Sequence, residues 1–286
     1  MQQFVASFRE SIFVLPVPSS LQPVSAPFAY PPKNTISGVD DGVEQDFLRF
    51  LHKHNLVAPS AKRATWHYLP VFWTRYLLNH KYGAWGRDEL LENAESAVID
   101  AARTFSVSQY DGGPPIPLEI GLWFLASRTD GVGIDIPLIS AGIPRIFQSW
   151  RPRVRPVRAN FCGRIETHQI RSTIPQELKR VKGVYRRNLH PNAYFALLGL
   201  SGFTLAPRGV GGSSFRLFES MAAGSVPVVI ADVDRRPFRR AVDWTEFSLS
   251  AASPEEAIEA IAGLARVDRE RMSRAAHKAY WDHFAP

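Results

Sequence analysis

Cysteine is almost absent. Cys162 stands alone in 286 residues, so no internal disulfide can form, and no cysteines and histidines fall at zinc-ligand spacing, which excludes a structural zinc module. Long apolar runs are missing as well: nothing approaches the roughly 20 residues of a membrane-spanning helix. The short run "SIFVLPVP", broken by two prolines, reads as a first strand rather than a leader. A soluble, cytoplasmic protein is expected. Internal repeats and low-complexity tracts are absent. Acidic residues are in deficit, 27 against 34 lysines and arginines, so the expected partner is anionic: nucleotide, nucleic acid, acidic glycan or membrane surface.

What is present suffices for two cores. Hydrophobic residues make up 45%, and the length is near twice the usual ~150-residue domain, so two domains with a cleft between them are expected. After the first strand, residues 16–38 are rich in Pro and Ser and read as a long loop. A helix "DDGVEQDFLRFLHKH" follows. The stretch "ATWHYLPVFWTRYLL" carries Trp66, Tyr68, Phe72, Trp73 and Tyr76, which fit core packing or a stacking surface for a sugar. "GRDELLENAESAVIDAARTF" has helical spacing and a cap at Asp88. Phe105, Val107 and Gln109 then lead a strand into the turn "YDGGPP". The arginine-rich "SWRPRVRPVR", residues 149–158, breaks the pattern and reads as a linker and solvated basic connector.

Beyond it, strands alternate with helices: strand "ANFCGR", helices "HQIRSTIPQELKRV" and "PNAYFALLGLS", strand "FTLAPR", helix "SSFRLFESMAA", strand "VPVVIA", helix "RPFRRAVD", strand "FSLSA", and two closing helices. Short buried strands in this alternation predict a parallel sheet. Ligands of such sheets bind at the carboxyl ends of the strands.

One of those ends is rich in chemistry. "FTLAPR" delivers Arg208 to the end of a strand, "GVGG" lets the backbone approach a ligand, and Ser213 or Ser214 is placed to cap the helix that follows. Free N–H groups and the dipole at a helix start favour an anion by roughly 0.3 to 2 kcal/mol. Arg208 and Arg216 add charge-assisted bonds of about 1.5 to 3 kcal/mol each. Glu219 lies roughly 7 to 8 Å further along the axis, a separation that suits a diphosphate at the helix start and a ribose diol at the carboxylate. The competing reading is an ordinary surface pair between Arg216 and Glu219. "GVGGSS" has no P-loop lysine and does not fit the dinucleotide fingerprint.

These residues resemble the exostosin-type glycosyltransferases. The carriers are the strand ending in Pro-Arg-Gly, the Ser before Arg216, the acidic residue on the helix, Gly-x-x-Pro-Val before a strand, and Pro-Phe followed by Asp-Trp. Upstream, "FCGRIETHQIRSTI" resembles the family's Phe-x-Gly-Arg segment, and "GIDIPLIS" a strand bearing Asp and Pro. The resemblance is strong from about residue 160 to 250 and thin before 100. It implies a GT-B fold: α/β, two Rossmann-like domains with parallel sheets facing a central cleft, residues 1–155 on the acceptor side and 156–270 holding the nucleotide sugar. The last helix, 271–286, is expected to pack back on the N-terminal domain. It also implies inverting transfer of a sugar from a nucleotide diphosphate, UDP favoured, to a hydroxyl acceptor such as a glycan. Arg208, Ser213, Ser214, Arg216 and Glu219 then bind the donor, with Gly163 and Arg164 near the diphosphate.

Inverting transfer needs a base for the acceptor hydroxyl. The family's His-Asp pair before Gly-Pro appears here as "SQYDGGPP", which keeps Asp111 but not the His. Asp111 is the first candidate base and His67 the second; each also has a structural reading, as a turn residue and a core histidine. No cofactor is required, since the helix start and arginines can stabilise the leaving group. "DVD", Asp232 to Asp234, is the alternative, as a site for Mn or Mg. Two other readings stay open: a nucleic-acid binder or nucleic-acid-directed sugar transferase, and a catalytically degenerate nucleotide-binding relative.

Overall fold

The computed structural model describes residues 11–23, 42–138, 143–149 and 154–285. The proline-rich loop from residue 24 onward, Asp40 and Asp41, the end of "GIDIPLIS" and residues 150–153 of the basic stretch lie outside them. The chain forms two compact units, Met1–Ile136 and Pro137–Pro286. Among the described residues no helix is long and apolar enough to cross a membrane.

Among the described residues the first unit is built on five parallel strands, β1 (Ile12–Val14), β2 (Trp66–Tyr68), β3 (Thr104–Ser108), β4 (Leu122–Leu125) and β5 (Ile134–Asp135), lying side by side in chain order. Side chains alternate across it, as the period of two requires. Tyr68, Phe105 and Val107 meet Leu51 of helix α1 (Val43–Lys53) on one side. On the other, Leu69, Trp123 and Leu125 pack with Trp73, Tyr76 and Leu77 of α2 (Trp73–Asn79) and with Leu90 and Ala94 of α3 (Arg87–Ala97). Tyr68, Trp73 and Tyr76 are therefore core residues. Helix α3 starts at Gly86 in the left-handed region (φ 75°) with no side-chain cap, so Asp88 sits in the first turn instead of capping it.

The described residues of the second unit also form five parallel strands: β6 (Val157–Cys162), β7 (Val184–Arg186), β8 (Ser201–Pro207), β9 (Val226–Ile230) and β10 (Leu249–Ala251), in the order β10-β9-β8-β6-β7. β8 and β9 are buried along their whole length. Their runs are accordingly nearly all apolar, as strands covered on both faces must be. The sheet is covered by α4 (Ile174–Arg180), α5 (Pro191–Leu200), α6 (Phe215–Ala222), α7 (Pro254–Gly263) and α8 (Arg266–Ala279). Ser253 caps α7 by accepting from the Glu256 N–H. Gly224, at φ 67°, ends α6 as a left-handed cap.

Four features differ from expectation. The division falls at 136/137 rather than 155/156, because Phe147 packs with Phe195, Leu198 and Ala223 of the second unit. Within the basic stretch, Arg155 donates to the carbonyls of Leu198, Gly199 and Ser201 at the end of α5 and of Ala223 at the end of α6. Arg158 does the same for Ile261 and Leu264 at the end of α7. These arginines are helix C-caps that complement the dipoles, not a solvated connector. The closing helix α8 packs within its own unit: Met272 joins the sheet core, Ser273 donates to Gly224 O, and His277 contacts Phe147 O. Finally, "RPFRRAVD" is turns, not helix, since Phe238 takes φ 54°, which a right-handed helix forbids.

Candidate functional site

The strand order of the second unit fixes where a ligand crevice opens. From β6 the chain moves outward to β7, and from β8 it moves the other way to β9 and β10, so the reversal lies between the carboxyl ends of β6 and β8. In open parallel sheets that reversal is the ligand site. Gly163 and Arg164 follow β6, Arg208 follows β8, and Ser213, Ser214, Arg216 and Glu219 belong to the start and first turns of α6. The structure brings all seven to one edge.

They divide around the start of α6. On one side lies a small recess, open to solvent, lined by Arg208, Ser213, Ser214, Arg235 and Arg236 among others. Ser214 holds the cap position by backbone geometry, yet its hydroxyl caps nothing. That hydroxyl and Nε of Arg208 are buried without a hydrogen-bond partner. Buried polar atoms are rarely left unsatisfied, and each costs roughly 1 to 3 kcal/mol. The first N–H groups of α6 also lack partners within the helix.

On the other side, Arg216 crosses the backbone at Gly163. Its Nε donates to Cys162 O at 2.6 Å, and its guanidinium lies 5.2 Å from the Phe161 ring centre. A Cβ at Gly163 would land on Arg216 Nη2, so only glycine leaves this arginine its place. Glu219, 9% exposed, accepts a hydrogen bond from Tyr194 Oη. Burial, then the neighbouring Glu219 carboxylate, holds the Tyr194 phenol well above its ordinary range. Arg216 and Glu219 thus turn to different partners, and the surface-pair reading fails.

Arg171 connects the two loops. It is 5% exposed and donates to Arg208 O at 2.6 Å, Pro207 O at 2.8 Å and Arg164 O at 3.1 Å. Burial, then the field of Arg216, pulls its guanidinium down to about 9, so it stays charged at neutral pH. One buried cation thereby ties the loop after β6 to the loop after β8.

Asp232 and Asp234 face arginines. Asp232 pairs with Arg208 Nη1 at 2.6 Å, which lowers its carboxyl below the usual range. Burial raises Asp234, but its bonds to Arg236 and the field of Arg239 outweigh that and leave it lowered. Among the described residues no three His, Cys, Asp or Glu side chains form a metal-holding group. Asp243 accepts from Thr245 N and Oγ1, and Trp244 is buried, so this pair is a structural corner.

With this geometry in view, comparison with known proteins is specific. Residues 77–264 match the exostosin GT47 domain, well over half of the chain. The chain belongs to the exostosin GT47 family. A probable glucuronosyltransferase of Oryza sativa subsp. japonica is 26% identical over 189 residues, 66% of this chain and 38% of that protein. A probable glucuronoxylan glucuronosyltransferase of Arabidopsis thaliana is 36% identical over 93 residues, 32% of this chain and 21% of that protein. The chain thus spans less than half the length of either relative. Among solved structures, AviGT4, a glycosyltransferase involved in avilamycin A biosynthesis, matches at a TM-score of 0.43 and 13% identity over 94% of this chain and 92% of that one.

In the first unit the two candidate bases of this family member are separated. His67 sits on β2 opposite Thr104, the first residue of β3, while Asp111 lies three residues beyond the other end of β3. At about 3.3 Å per residue the length of β3 alone puts them more than 10 Å apart. His67 is 1% exposed, packs edge-on against Phe13 and has Nε2 3.3 Å from Ala61 O. Asp111 is half-buried; its Oδ1 accepts from Ser127 Oγ at 2.7 Å and its carbonyl from Thr129 N.

Sequence reasoning missed Glu44. It is 1% exposed at the start of α1, and its carboxylate accepts from Thr74 N and Oγ1 and from Gln109 N. Gln109 returns the contact by accepting from Val43 N. Burial outweighs these donors and raises the Glu44 carboxyl to about 7. Glu44 therefore anchors the segment leading to Asp111, and Gln109, two residues before Asp111, caps the start of α1.

Proposed function

We propose that this chain is an inverting glycosyltransferase that moves a sugar from a nucleotide diphosphate to a hydroxyl of a glycan. The observation that carries this reading is the pair of orphaned buried groups, Ser214 Oγ and Arg208 Nε, at an uncapped helix start beside the reversal of the sheet. A diphosphate supplies the acceptor oxygens those groups lack. Arg216, held by Cys162 O beside Gly163, adds charge on the β6 side, and Glu219 takes the ribose hydroxyls. Gly163 and Arg164 border the diphosphate.

In the reaction Asp111 removes the proton of the acceptor hydroxyl, the oxygen attacks the anomeric carbon, and the bond from that carbon to the diphosphate breaks with inversion. The helix start and the arginines stabilise the departing charge. The carboxylates of Asp232 and Asp234 are engaged by Arg208 and Arg236, so no metal has a role in this scheme. UDP is the favoured nucleotide. Relatives named as glucuronosyltransferases make UDP-glucuronate the first donor to test. Nucleic acid is not favoured as partner, because Arg155 and Arg158 are spent on helix carbonyls.

Calorimetric titration with UDP, GDP, CDP and dTDP, with and without Mn²⁺ or chelator, tests this reading. Binding of UDP that survives chelator and weakens about 10- to 100-fold in Arg216→Ala is expected, the range set by one charge-assisted bond. Equal binding by the variant sinks the clamp, and no binding of any nucleotide sinks the reading. Gly163→Ala is expected to weaken UDP about tenfold by expelling the Arg216 guanidinium, with an unchanged circular dichroism spectrum. Unaltered affinity there means Arg216 acts from another position.

A further inference from the structure

The turn between α2 and α3, residues 80–86, displays two large aromatic rings to solvent. Tyr82 is 67% exposed and Trp85 49%. Nothing in the folding of the core asks for this, since apolar rings leave water when they are free to. The backbone that presents them is strained: Lys81 (φ 48°) and Tyr82 (φ 60°) are consecutive non-glycine residues in the left-handed region. Such conformations are unfavourable for residues with a Cβ and cluster where function requires them.

The turn is nonetheless rigidly built. His80 stacks on Tyr76 with ring centres 4.1 Å apart, and its Nδ1 lies 2.7 Å from Tyr76 O. Tyr76 Oη donates to Gly86 O at 3.1 Å. Lys81 Nζ sits 5.2 Å from the centre of the Trp85 ring, and His80 meets that ring edge-on, so the indole has neighbours that orient it. Arg87 donates to Gly83 O at 3.0 Å and to Pro115 O at 3.4 Å. Pro115 ends the "YDGGPP" turn that begins with Tyr110 and Asp111, so Arg87 fastens the aromatic turn to the segment carrying the candidate base.

Exposed aromatic rings beside polar side chains, one of them oriented by its neighbours, are the chemistry of carbohydrate recognition. The axial C–H bonds of a pyranose pack on a π face, and fixed rings lose little entropy on binding. We propose that residues 80–86 form an acceptor subsite, with Tyr82 and Trp85 stacking pyranose rings of the glycan. This subsite rests on the transferase reading above, and it assigns the acceptor end of the reaction to a defined turn of the first unit.

Saturation-transfer NMR on the full chain tests it with three probes: xylohexaose, cellohexaose and hexagalacturonate. At least one is expected to bind, with the strongest transfer on ring C–H protons, and its affinity is expected to fall fivefold or more in Trp85→Ala and in Tyr82→Ala. Trp85→Phe, which keeps a π face, is expected to restore over half the signal, and Phe50→Ala, an exposed ring elsewhere, to change nothing. Tyr82→Gly removes the ring together with the strain, so a melting temperature at or above that of the parent accompanies its loss of binding. UDP affinity, measured in parallel, is expected to stay within twofold in every variant. Absence of binding by all three probes, or parental binding in both alanine variants, overturns the subsite. Failure of the parent to bind UDP while it binds a probe overturns the transferase reading instead.

Discussion

Arg171→Met is expected to lower stability by about 3 to 5 kcal/mol and to abolish UDP binding, although Arg171 needs no contact with the nucleotide. Its guanidinium satisfies the carbonyls of Arg208, Pro207 and Arg164. Methionine fills similar space and donates nothing, so these carbonyls lose their partner in a buried setting, at roughly 1 to 3 kcal/mol each where water cannot enter. The two loops of the crevice then separate, and Arg208 and Gly163 lose their common frame. Urea denaturation with calorimetry checks both halves. A variant within 1 kcal/mol of the parent that still binds UDP would show that the loops hold themselves.

Glu44→Gln is expected to change how stability depends on pH. The Glu44 carboxyl is raised from 4.5 to about 7 in the folded protein, so between those values the folded state binds more proton than the unfolded state. The stability this contributes is complete below the unfolded pKa and lost as pH rises through the folded one. The difference corresponds to about 3 kcal/mol. Glutamine mimics the protonated form and does not titrate. The variant is expected to match the parent near pH 4.5 and to exceed it near pH 8, with the gap opening mostly between pH 5 and 7. Parallel stability profiles for the two proteins across that range would overturn the assignment.

How much of this was legible in the sequence depends on where each contact lies. The segment from Phe203 to Ile230 could be read closely, because its strand, glycine turn, helix and strand are local structures with local signals. The grouping of Arg208, Ser214, Arg216 and Glu219 follows from that one stretch. The role of Arg171 could not be read, since it rests on carbonyls, which every residue has and no letter marks. Glu44 is hidden for the same reason: its partners, Thr74 and Gln109, lie 30 and 65 residues away. The basic stretch misled because arginines that cap helices look, in sequence, like arginines in solvent. "RPFRRAVD" misled because its composition permits a helix, while Phe238 is held left-handed. His67 shows the converse, a reactive side chain whose place on β2 puts it away from the end of β3 where Asp111 lies.

The strand order of the first unit has a consequence for how this protein can diversify. Among the described residues its sheet runs β1-β2-β3-β4-β5 without a reversal, so strand order there supplies no crevice, and a ligand would be met by loops. Loops accept replacement and insertion at small thermodynamic cost. The second unit, whose crevice follows from its topology, has less of that freedom. Given the subsite proposed above, grafting the 80–86 turn of another family member onto this chain is expected to transplant acceptor preference while leaving UDP affinity unchanged.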